Sequence, residues 1–299
     1  MDKYLTEKFN EAALVLPDSI RGKALFLPDE LKASAEEFRL RCGKPPSILV
    51  CGREHTLSGR AVIQRDIEEL IESASSSSRH SVSESIRNGF VTARGGHRIG
   101  ICGTAVVTNG VISSLRSLSS ACIRIAHERI GVGEKTAERI SNENGEPCPA
   151  IIISPPGAGK TTLLRDLVRI FSDRGVRTAL ADERGEIAAV SRGTAQFDVG
   201  ACTDVMELAP RAQAVRFMLR AMSPRLVAVD EICSEEDASA VLEASGSGCT
   251  VLATAHASDA AELERKPALR KLLHNGAFRY CVRTTCCGGI RDYEVGEFK

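Results

Sequence analysis

Residues 150–162 read Ala-Ile-Ile-Ile-Ser-Pro-Pro-Gly-Ala-Gly-Lys-Thr-Thr, and this stretch decides the fold of the second half of the chain. The apolar run Ala150–Ile153 predicts a buried strand, and the residues from Lys160 to Phe171 predict a helix. Glycines between them let backbone N–H groups turn toward one point, and a helix that begins there directs further N–H groups to the same point. The stretch therefore predicts a loop that binds phosphate groups.

The eight residues from Ser154 to Thr161 fit the P-loop spacing, with Ser154 in place of the usual first glycine. In such a loop the ammonium of Lys160 reaches the β and γ phosphates, and the hydroxyl of Thr161 ligates magnesium. We therefore expect an ATP hydrolase with ATP and Mg2+ as its ligands. The residues expected to contact the nucleotide are Ser154, Pro155, Pro156, Gly157, Ala158, Gly159, Lys160, Thr161 and Thr162.

A second acidic element follows the apolar run Leu226–Val229, where Asp230 and Glu231 come directly after a predicted buried strand. In open α/β sheets the carboxyl ends of the strands carry the ligand site. Asp230 is expected to hold Mg2+ through water, and Glu231 to polarise the attacking water.

Two further predicted strands end in polar residues. Ala179–Ala181 leads into Asp182 and Glu183, and the run that begins at Val251 leads into Thr254 and His256. If this last strand lies between the phosphate-loop strand and the Asp230 strand, Thr254 or His256 could sense the γ-phosphate. Glu183 is a second candidate for the catalytic base, and the choice between it and Glu231 stays open.

Arg216 and Arg220 are four residues apart on the helix predicted over Pro210–Met222, and therefore share a face. They are interpreted either as salt-bridged surface arginines or as contacts to the γ-phosphate or to a neighbouring subunit.

Strands and helices alternate in the second half, which predicts an α/β fold: a RecA-like P-loop domain with a mostly parallel sheet, over residues 149–299. A smaller α+β domain is expected over residues 1–148. Its first 40 residues are interpreted as helical, and the stretch Glu30–Arg41 supports this with apolar residues among charged ones. Two antiparallel hairpins are predicted around Gly95-Gly96 and around Asn109-Gly110, since both dipeptides tolerate positive φ.

Composition argues against several function classes. The formal net charge is zero, with 39 basic and 39 acidic residues, and aromatic residues make up 4%, so we expect no nucleic acid as partner. The 11 cysteines show no C-x-x-C pair, and the vicinal pair Cys286-Cys287 lacks zinc-site spacing, so they are interpreted as reduced, buried thiols of a cytosolic protein. Neither a signal peptide nor a membrane span is expected.

The order of these elements resembles the secretion ATPases of type II and type IV systems, which carry an Asp box, a Walker B motif ending in Gly-Glu and a His box. Here Asp230 stands where those proteins have glycine.

The chain is more closely similar to the stage III sporulation protein AA family of endospore-forming bacteria. The stretches that carry this resemblance are Glu37–Arg41, Gly95–Gly100, Ser154–Asp166, Asp198–Gly200, Thr203–Val205, Met222–Pro224 and Val229–Ile232. It implies a cytoplasmic mother-cell ATPase, peripheral on a membrane face. Its expected partners are copies of itself in a ring, with six copies expected, and membrane proteins of the stage III sporulation channel. Ser154 and Cys202 depart from the family pattern, and at Cys202 an arginine is usual.

In the secretion ATPases the N-terminal domain folds over the nucleotide and supplies arginines to its phosphates. The resemblance therefore implies a catalytic role for Arg98, and less directly for Arg124, with an ion pair to an acid such as Glu128 as the alternative. Two other functions remain open: a RecA-like ATPase acting on nucleic acid, and an ATP-gated structural subunit with little turnover.

Overall fold

The computed structural model describes residues 3–75, 89–155, 157–287 and 290–298, with only the backbone described for Ser75, Cys286, Cys287 and Ile290. Pro156 lies outside the described residues, as do the side chains of the vicinal cysteine pair. Contacts divide the chain into two compact units. The first unit comprises Met1–His127 with Ala189–Gln196, and the second comprises Glu128–Ala188 with Phe197–Lys299.

This division differs from the boundary expected at residue 148, since the segment 128–148 belongs to the second unit. The backbone N–H of Gly133 donates to the carboxylate of Asp166 at 2.7 Å. Ala137 and Ile140 are fully buried. The segment expected to be a helix and linker is therefore packed into the second unit.

The first unit combines helices with an antiparallel sheet. Its helices are α1 (Lys3–Ala13), α2 (Asp18–Leu25), α3 (Asp29–Ser34) and α4 (Gln64–Ser75). Its strands are β1 (Ala35–Arg41), β2 (Ser47–Val50), β3 (Arg53–Thr56), β4 (Phe90–Thr92), β5 (Arg98–Thr108) and β6 (Val111–Arg124). The strand order is β3-β2-β1-β6-β5-β4, and every pairing between neighbours is antiparallel. Phe9 of α1 packs on Phe38 of β1 with ring centroids 4.8 Å apart.

The helix predicted over Glu30–Arg41 was wrong for its second half. The chain is helical to Ser34, and residues 35–41 form β1, a strand between β2 and β6. Phe38 and Leu40 are buried, whereas Arg39 and Arg41 between and after them are half-buried. This alternation has the period of a strand, and pairing on both edges stabilises it over the local helical tendency.

Both predicted hairpin turns are present in the first unit. Asn109 and Gly110 have φ angles of +53° and +77° and join β5 to β6. Gly95 and Gly96 also have positive φ and lie at the short 3-10 turn between β4 and β5.

The second unit is an α/β layer structure around a mostly parallel sheet. Its helices are α5 (Glu134–Arg139), α6 (Lys160–Asp173), α7 (Arg211–Ala221), α8 (Glu235–Gly246), α9 (Ala260–Arg265) and α10 (Pro267–His274). Its strands are β7 (Ala150–Ser154), β8 (Thr178–Asp182), β9 (Thr203–Glu207), β10 (Leu226–Val229), β11 (Thr250–His256), β12 (Tyr280–Cys287) and β13 (Ile290–Glu297). The strand order is β13-β12-β7-β11-β10-β8-β9, and only the pairing of β13 with β12 is antiparallel among these described strands.

The strands at the centre of this sheet are those that the sequence predicted. All residues of β7, β8 and β10 are buried, because helices cover both faces of a parallel sheet. Strand β11 lies between β7 and β10, which meets the condition set for Thr254 and His256 to lie near the phosphate loop. The sequence reasoning missed β9, β12 and β13.

The described cysteines are free thiols, but they are not uniformly buried. Cys148 and Cys249 are buried as expected, whereas Cys51, Cys102 and Cys233 are exposed. Over the described ranges, none of the helices is both long enough and apolar enough to pass through a bilayer.

Candidate functional site

The glycine-rich loop, residues 154–161, joins the end of β7 to the start of α6. Gly157 and Gly159 have φ angles of +79° and +98°, a region that side chains with a Cβ rarely adopt. Gly159 is the N-cap of α6, so the first N–H groups of the helix are directed toward the loop. Ser154 is fully buried as the last residue of β7, and Ala158 is buried too. These glycine conformations beside a helix N-terminus can present backbone N–H groups to an anion.

Lys160 is buried at the start of α6 and lies against His256 at the end of β11. Its Nζ is 3.2 Å from Nδ1 and 3.3 Å from Nε2 of the imidazole ring. Burial lowers the pKa of Lys160, and the carboxylates of Asp230 and Glu231 oppose that shift. Among the residues that the structure describes, no carboxylate forms an ion pair with this ammonium, a setting suited to an anionic ligand.

Asp230, directly after β10, is hydrogen-bonded to the first turn of α6 and to β11. Thr161 Oγ1 donates to its Oδ2 at 3.2 Å, and Thr254 Oγ1 donates to its Oδ1 at 2.5 Å. Burial raises the pKa of Asp230, while Thr254 and Lys160 lower it. A buried carboxylate beside a hydroxyl offers two hard oxygen ligands, which fit Mg2+. Thr162, the next residue of α6 and an expected nucleotide contact, is half-buried.

Glu231 adopts an uncommon backbone conformation for a residue with a side chain, with φ +62°. Its N–H donates to Thr254 Oγ1 at 2.7 Å. One carboxylate oxygen lies 3.1 Å from His256 Nε2, and the other lies 2.8 Å from the Arg184 guanidinium. The backbone and both oxygens are thus fixed beside Lys160, the arrangement expected of a group that orients a small reactant.

Glu183, the alternative base, is held elsewhere. It follows β8, and its carboxylate pairs with Arg211 of α7 at 2.9 Å. Within the described residues, no hydrogen bond or ion pair joins Glu183 to Lys160, Asp230 or His256. The neighbouring Asp182 organises the next loop: its carboxylate accepts the N–H groups of residues 186–188, each at 2.9 Å. Burial raises the pKa of Asp182, and these hydrogen bonds oppose the shift.

Arg98 and Arg124 belong to the first unit, where they are cross-strand neighbours on β5 and β6. The Arg98 guanidinium stacks on the Phe90 ring, 3.7 Å from its centroid. Arg124 pairs with Glu37 at 3.2 Å, whereas Glu128, the acid suggested as a partner, accepts the N–H of Asp198 in the second unit.

Arg216 and Arg220 differ from each other in their surroundings. Arg216 forms ion pairs with Glu243 at 2.9 Å and Glu236 at 3.4 Å, both on α8. Arg220 is exposed. The structure therefore supports the interpretation of Arg216 as a salt-bridged surface arginine.

Sequence reasoning assigned no role to three arginines around the site. A role for Arg184 was only weakly indicated by the sequence, by its position directly after the acidic end of β8. Arg211 is buried between Glu183 and Asp237, which are distant in sequence, so no local pattern could reveal it. Arg291 of β13 packs on the loop: a Cβ added to Gly159 would lie 2.6 Å from its Nε. That contact joins two segments far apart in the chain.

Comparison with known proteins places the chain in a family. The family described as "Sporulation stage III, protein AA" matches residues 7–289. The chain belongs to this family. Stage III sporulation protein AA of Bacillus subtilis (strain 168) is 35% identical over 274 residues, which cover 90% of this chain and 88% of that protein. The resemblance stated from the sequence is thereby confirmed.

Two solved structures share the fold of this family member. The Legionella pneumophila ATPase DotB matches 88% of this chain and 76% of its own, with a TM-score of 0.57 and 19% identity. The pilus retraction motor PilT, solved with bound ADP, matches 90% of this chain and 80% of its own, with a TM-score of 0.61 and 18% identity. The α/β fold with its mostly parallel sheet is thus shared with the ATPase DotB and the pilus retraction motor PilT.

Proposed function

We propose that this chain is a Mg2+-dependent ATP hydrolase with a RecA-like P-loop domain in its second unit. The observation that carries the proposal is a convergence at the carboxyl edge of three adjacent parallel strands. There the loop after β7, Asp230 and Glu231 after β10, and His256 at the end of β11 come within hydrogen-bonding reach of one another. Ligand sites of open α/β sheets lie at this edge.

Binding would use the loop N–H groups and the ammonium of Lys160 for the phosphates. Asp230 and Thr161 fit the Mg2+ that such a site takes, because a buried carboxylate with a hydroxyl 3.2 Å away provides hard oxygen ligands. When bound, Mg2+ supplies neutralisation of the charge on the phosphate oxygens.

Hydrolysis would use Glu231 as general base. Its carboxylate accepts a proton from the attacking water, whose oxygen bonds to the γ-phosphorus as the bond to the ADP oxygen breaks. His256 and Arg184 each hold one oxygen of this carboxylate and so orient it. Lys160 sits beside the same imidazole, which couples the base to the phosphate-binding group. Glu183 is assigned a structural role, because Arg211 holds it.

The cellular role we propose is that of a secretion-type motor. It would act as a ring, with six copies expected, on the cytoplasmic face of a mother-cell membrane. It would energise assembly of, or transport through, the channel to the forespore, with membrane proteins of that channel as partners. Membership of the sporulation family supports the setting, and the fold shared with DotB and PilT supports the motor activity.

The test of the ATPase proposal is the Lys160→Ala variant, with Lys135→Ala as the matched control because Lys135 is exposed on α5. Calorimetry should show ATP affinity about 10- to 150-fold weaker for Lys160→Ala, the effect of one charged hydrogen bond. The melting temperature of Lys160→Ala without nucleotide should be no lower than that of the wild type, because burial already disfavours the charged form of Lys160. ATP binding as tight as that of the wild type would overturn the assignment.

The test of the motor role is the size of the assembly with a non-hydrolysable ATP analogue, measured by light scattering. A nucleotide-dependent ring supports the proposal, and a monomer at all nucleotide states contradicts it. Phosphate release with and without single-stranded DNA separates this role from a nucleic-acid-dependent ATPase, which DNA would stimulate.

A further inference from the structure

The loop between β8 and β9 leaves the second unit and then returns to it. Residues 183–188 and 197–202 belong to the second unit, whereas Ala189–Gln196 belong to the first. We call residues 187–197 the strap, because its two ends lie in one unit and its middle lies in the other. The hydrolysis proposed above assigns it no role.

Both ends of the strap are held by α6, the helix that begins at the glycine-rich loop. Arg165 lies one turn beyond Thr161 on this helix, about 6 Å along its axis, and is buried. Its Nε donates to the Ile187 carbonyl at 2.6 Å. Its guanidinium also lies 4.1 Å from the centre of the Phe197 ring. One side chain on the helix of the phosphate loop therefore contacts the strap where it begins and where it ends.

The residues that follow the strap are packed on the same helix. Gly200 has a φ of +83° and lies so close to α6 that an added Cβ would collide with the Ser172 side chain. The N–H of Asp198 donates to the carboxylate of Glu128 at 2.6 Å. Glu128 is the residue at which the chain first enters the second unit. The far end of the strap is therefore anchored on α6 and on the other crossing of the chain.

Within the first unit, the middle of the strap is docked on the turn between β4 and β5. The strap reverses at Arg192 and Gly193, whose φ angles of +54° and +74° fit a two-residue hairpin turn. Gln196 Oε1 accepts the N–H of Gly95 at 2.8 Å. The strap is thus hydrogen-bonded to the turn that leads into β5, the strand that begins at Arg98.

We propose that the strap couples nucleotide binding to the first unit, with Arg165 as the positioning residue at its ends and Gln196 as the contact at its middle. This inference rests on the proposed function, because the ligand to which it responds is the phosphate chain of ATP at the start of α6.

The coupling follows from the order in which the contacts are connected. Phosphates bound by the loop also order the first turns of α6, whose N–H groups face them. Arg165 passes this order to both ends of the strap. A strap with fixed ends loses less conformational freedom when Gln196 docks on Gly95, so ATP binding and docking stabilise each other.

Hydrogen exchange, measured by mass spectrometry on the full chain, tests this coupling. A non-hydrolysable ATP analogue with Mg2+ should slow exchange in the peptides that cover residues 189–196 and the turn at Gly95, as well as in the loop. Slower exchange in the loop, with unchanged exchange in the other two segments, would overturn the inference and leave the ATPase proposal standing. A protein that bound no ATP would overturn both.

Gln196→Ala removes the contact at the middle of the strap. Since coupling is reciprocal, this variant should bind ATP about 2- to 10-fold more weakly, the effect of one hydrogen bond. Thr194→Ala, at an exposed position of the same strap, is the matched control and should bind ATP as the wild type does. A purely structural role of Gln196 within the first unit would leave ATP affinity unchanged, and that result would contradict the inference.

Arg165→Lys keeps the positive charge but loses the planar guanidinium that contacts both ends of the strap, so it should also weaken ATP binding. Because both residues act through the strap, the double variant should lose less affinity than the product of the two single losses. Losses that multiply would mean that Arg165 and Gln196 act separately, and would overturn the inference. Gln196 is only half-buried, so its variant remains a test if Arg165→Lys does not fold.

Discussion

The carboxylate of Glu231 lies 3.1 Å from Nε2 of His256, and this pair joins the ends of β10 and β11. The contact depends on the φ of +62° at Glu231, which turns its side chain at the strand end. The Lys160 ammonium lies 3.3 Å from the same imidazole nitrogen. Glu231 is therefore linked through one ring to the group proposed to hold the phosphates, and that link motivates the first prediction.

Glu231→Gln should retain ATP binding and magnesium dependence but lose turnover by roughly 10²–10⁴-fold, because an amide cannot accept the proton. The measurement is steady-state phosphate release alongside calorimetric ATP affinity. Glu183→Gln is the matched comparison, since it makes the same change on the carboxylate held by Arg211. If only the Glu183 change abolishes turnover, the base belongs to the β8 strand end.

Thr254→Val should weaken both stability and turnover. The buried Thr254 hydroxyl donates to Asp230 and accepts the N–H of Glu231, so its loss leaves two groups short of a partner. We expect the free energy of unfolding to fall by about 1–3 kcal/mol. Urea unfolding checks it, with Thr250→Val on the same strand as control, where a half-buried hydroxyl donates to the Pro147 carbonyl. A Thr254 variant no less stable than the control would contradict the hydrogen-bond arrangement.

The parts of the site that could be predicted are those encoded by local sequence. The loop from Ser154 to Thr161 and the acidic end of β10 each follow a short apolar strand, and parallel strands carry such residues to a common edge. Thr254 and His256 lie near the loop because β11, which carries them, is placed between β7 and β10. For these elements, the apolar run predicts the buried strand, and the polar residues that follow it are thereby placed at the carboxyl edge of the sheet.

Contacts between segments distant in the chain could not be predicted. Residues 35–41 form β1 only because β2 and β6 pair with it. Arg211 becomes a partner of Glu183 through the packing of α7, and β12 lies beside β7 although the two strands are far apart in the chain. None of these contacts can be predicted from a periodic pattern or a residue spacing, because each depends on a partner segment that is distant in the sequence.

His97 should make the first unit less stable in mild acid. The ring is fully buried, and this burial, with Lys8 and His127 nearby, lowers the pKa of His97 from 6.5 to about 3. Glu11 lies 3.9 Å from Nε2, too far for a hydrogen bond, while Nδ1 accepts the N–H of Ala126 at 3.0 Å. The folded state therefore holds the neutral ring.

Between pH 6.5 and 3 the unfolded chain binds a proton on His97 that the folded chain does not. The free energy of unfolding should therefore fall as pH drops through this window, by up to about 1.4 kcal/mol per pH unit, with no contribution above it. His97→Gln should remove that slope in urea unfolding measured from pH 7 to 5. His55→Gln, at an exposed histidine of β3, should keep it. Equal slopes in both variants would mean that His97 is not held neutral.

Arg98→Ala tests whether the first unit contributes to turnover. Arg98 and Arg124 are cross-strand neighbours near Glu37, and Arg98 stacks on Phe90. Neither hairpin turn needs an arginine for its geometry. We propose that Arg98, and less directly Arg124, reaches the γ-phosphate when ATP is bound, so that nucleotide state is converted into domain motion.

An arginine that stabilises transition-state charge contributes about 10³–10⁵-fold in rate, so Arg98→Ala should lose turnover on that scale. The loss of its stacking on Phe90 should cost only about 0.5–1 kcal/mol of stability, too little to explain such an effect. Arg116→Ala, at an exposed arginine of β6, is the control for removing a charge from the same sheet and should keep wild-type turnover. Small-angle scattering with and without an ATP analogue measures the accompanying compaction. An Arg98 variant with wild-type turnover and wild-type compaction would contradict the proposed role of Arg98 at the γ-phosphate and leave the first unit as a docking platform.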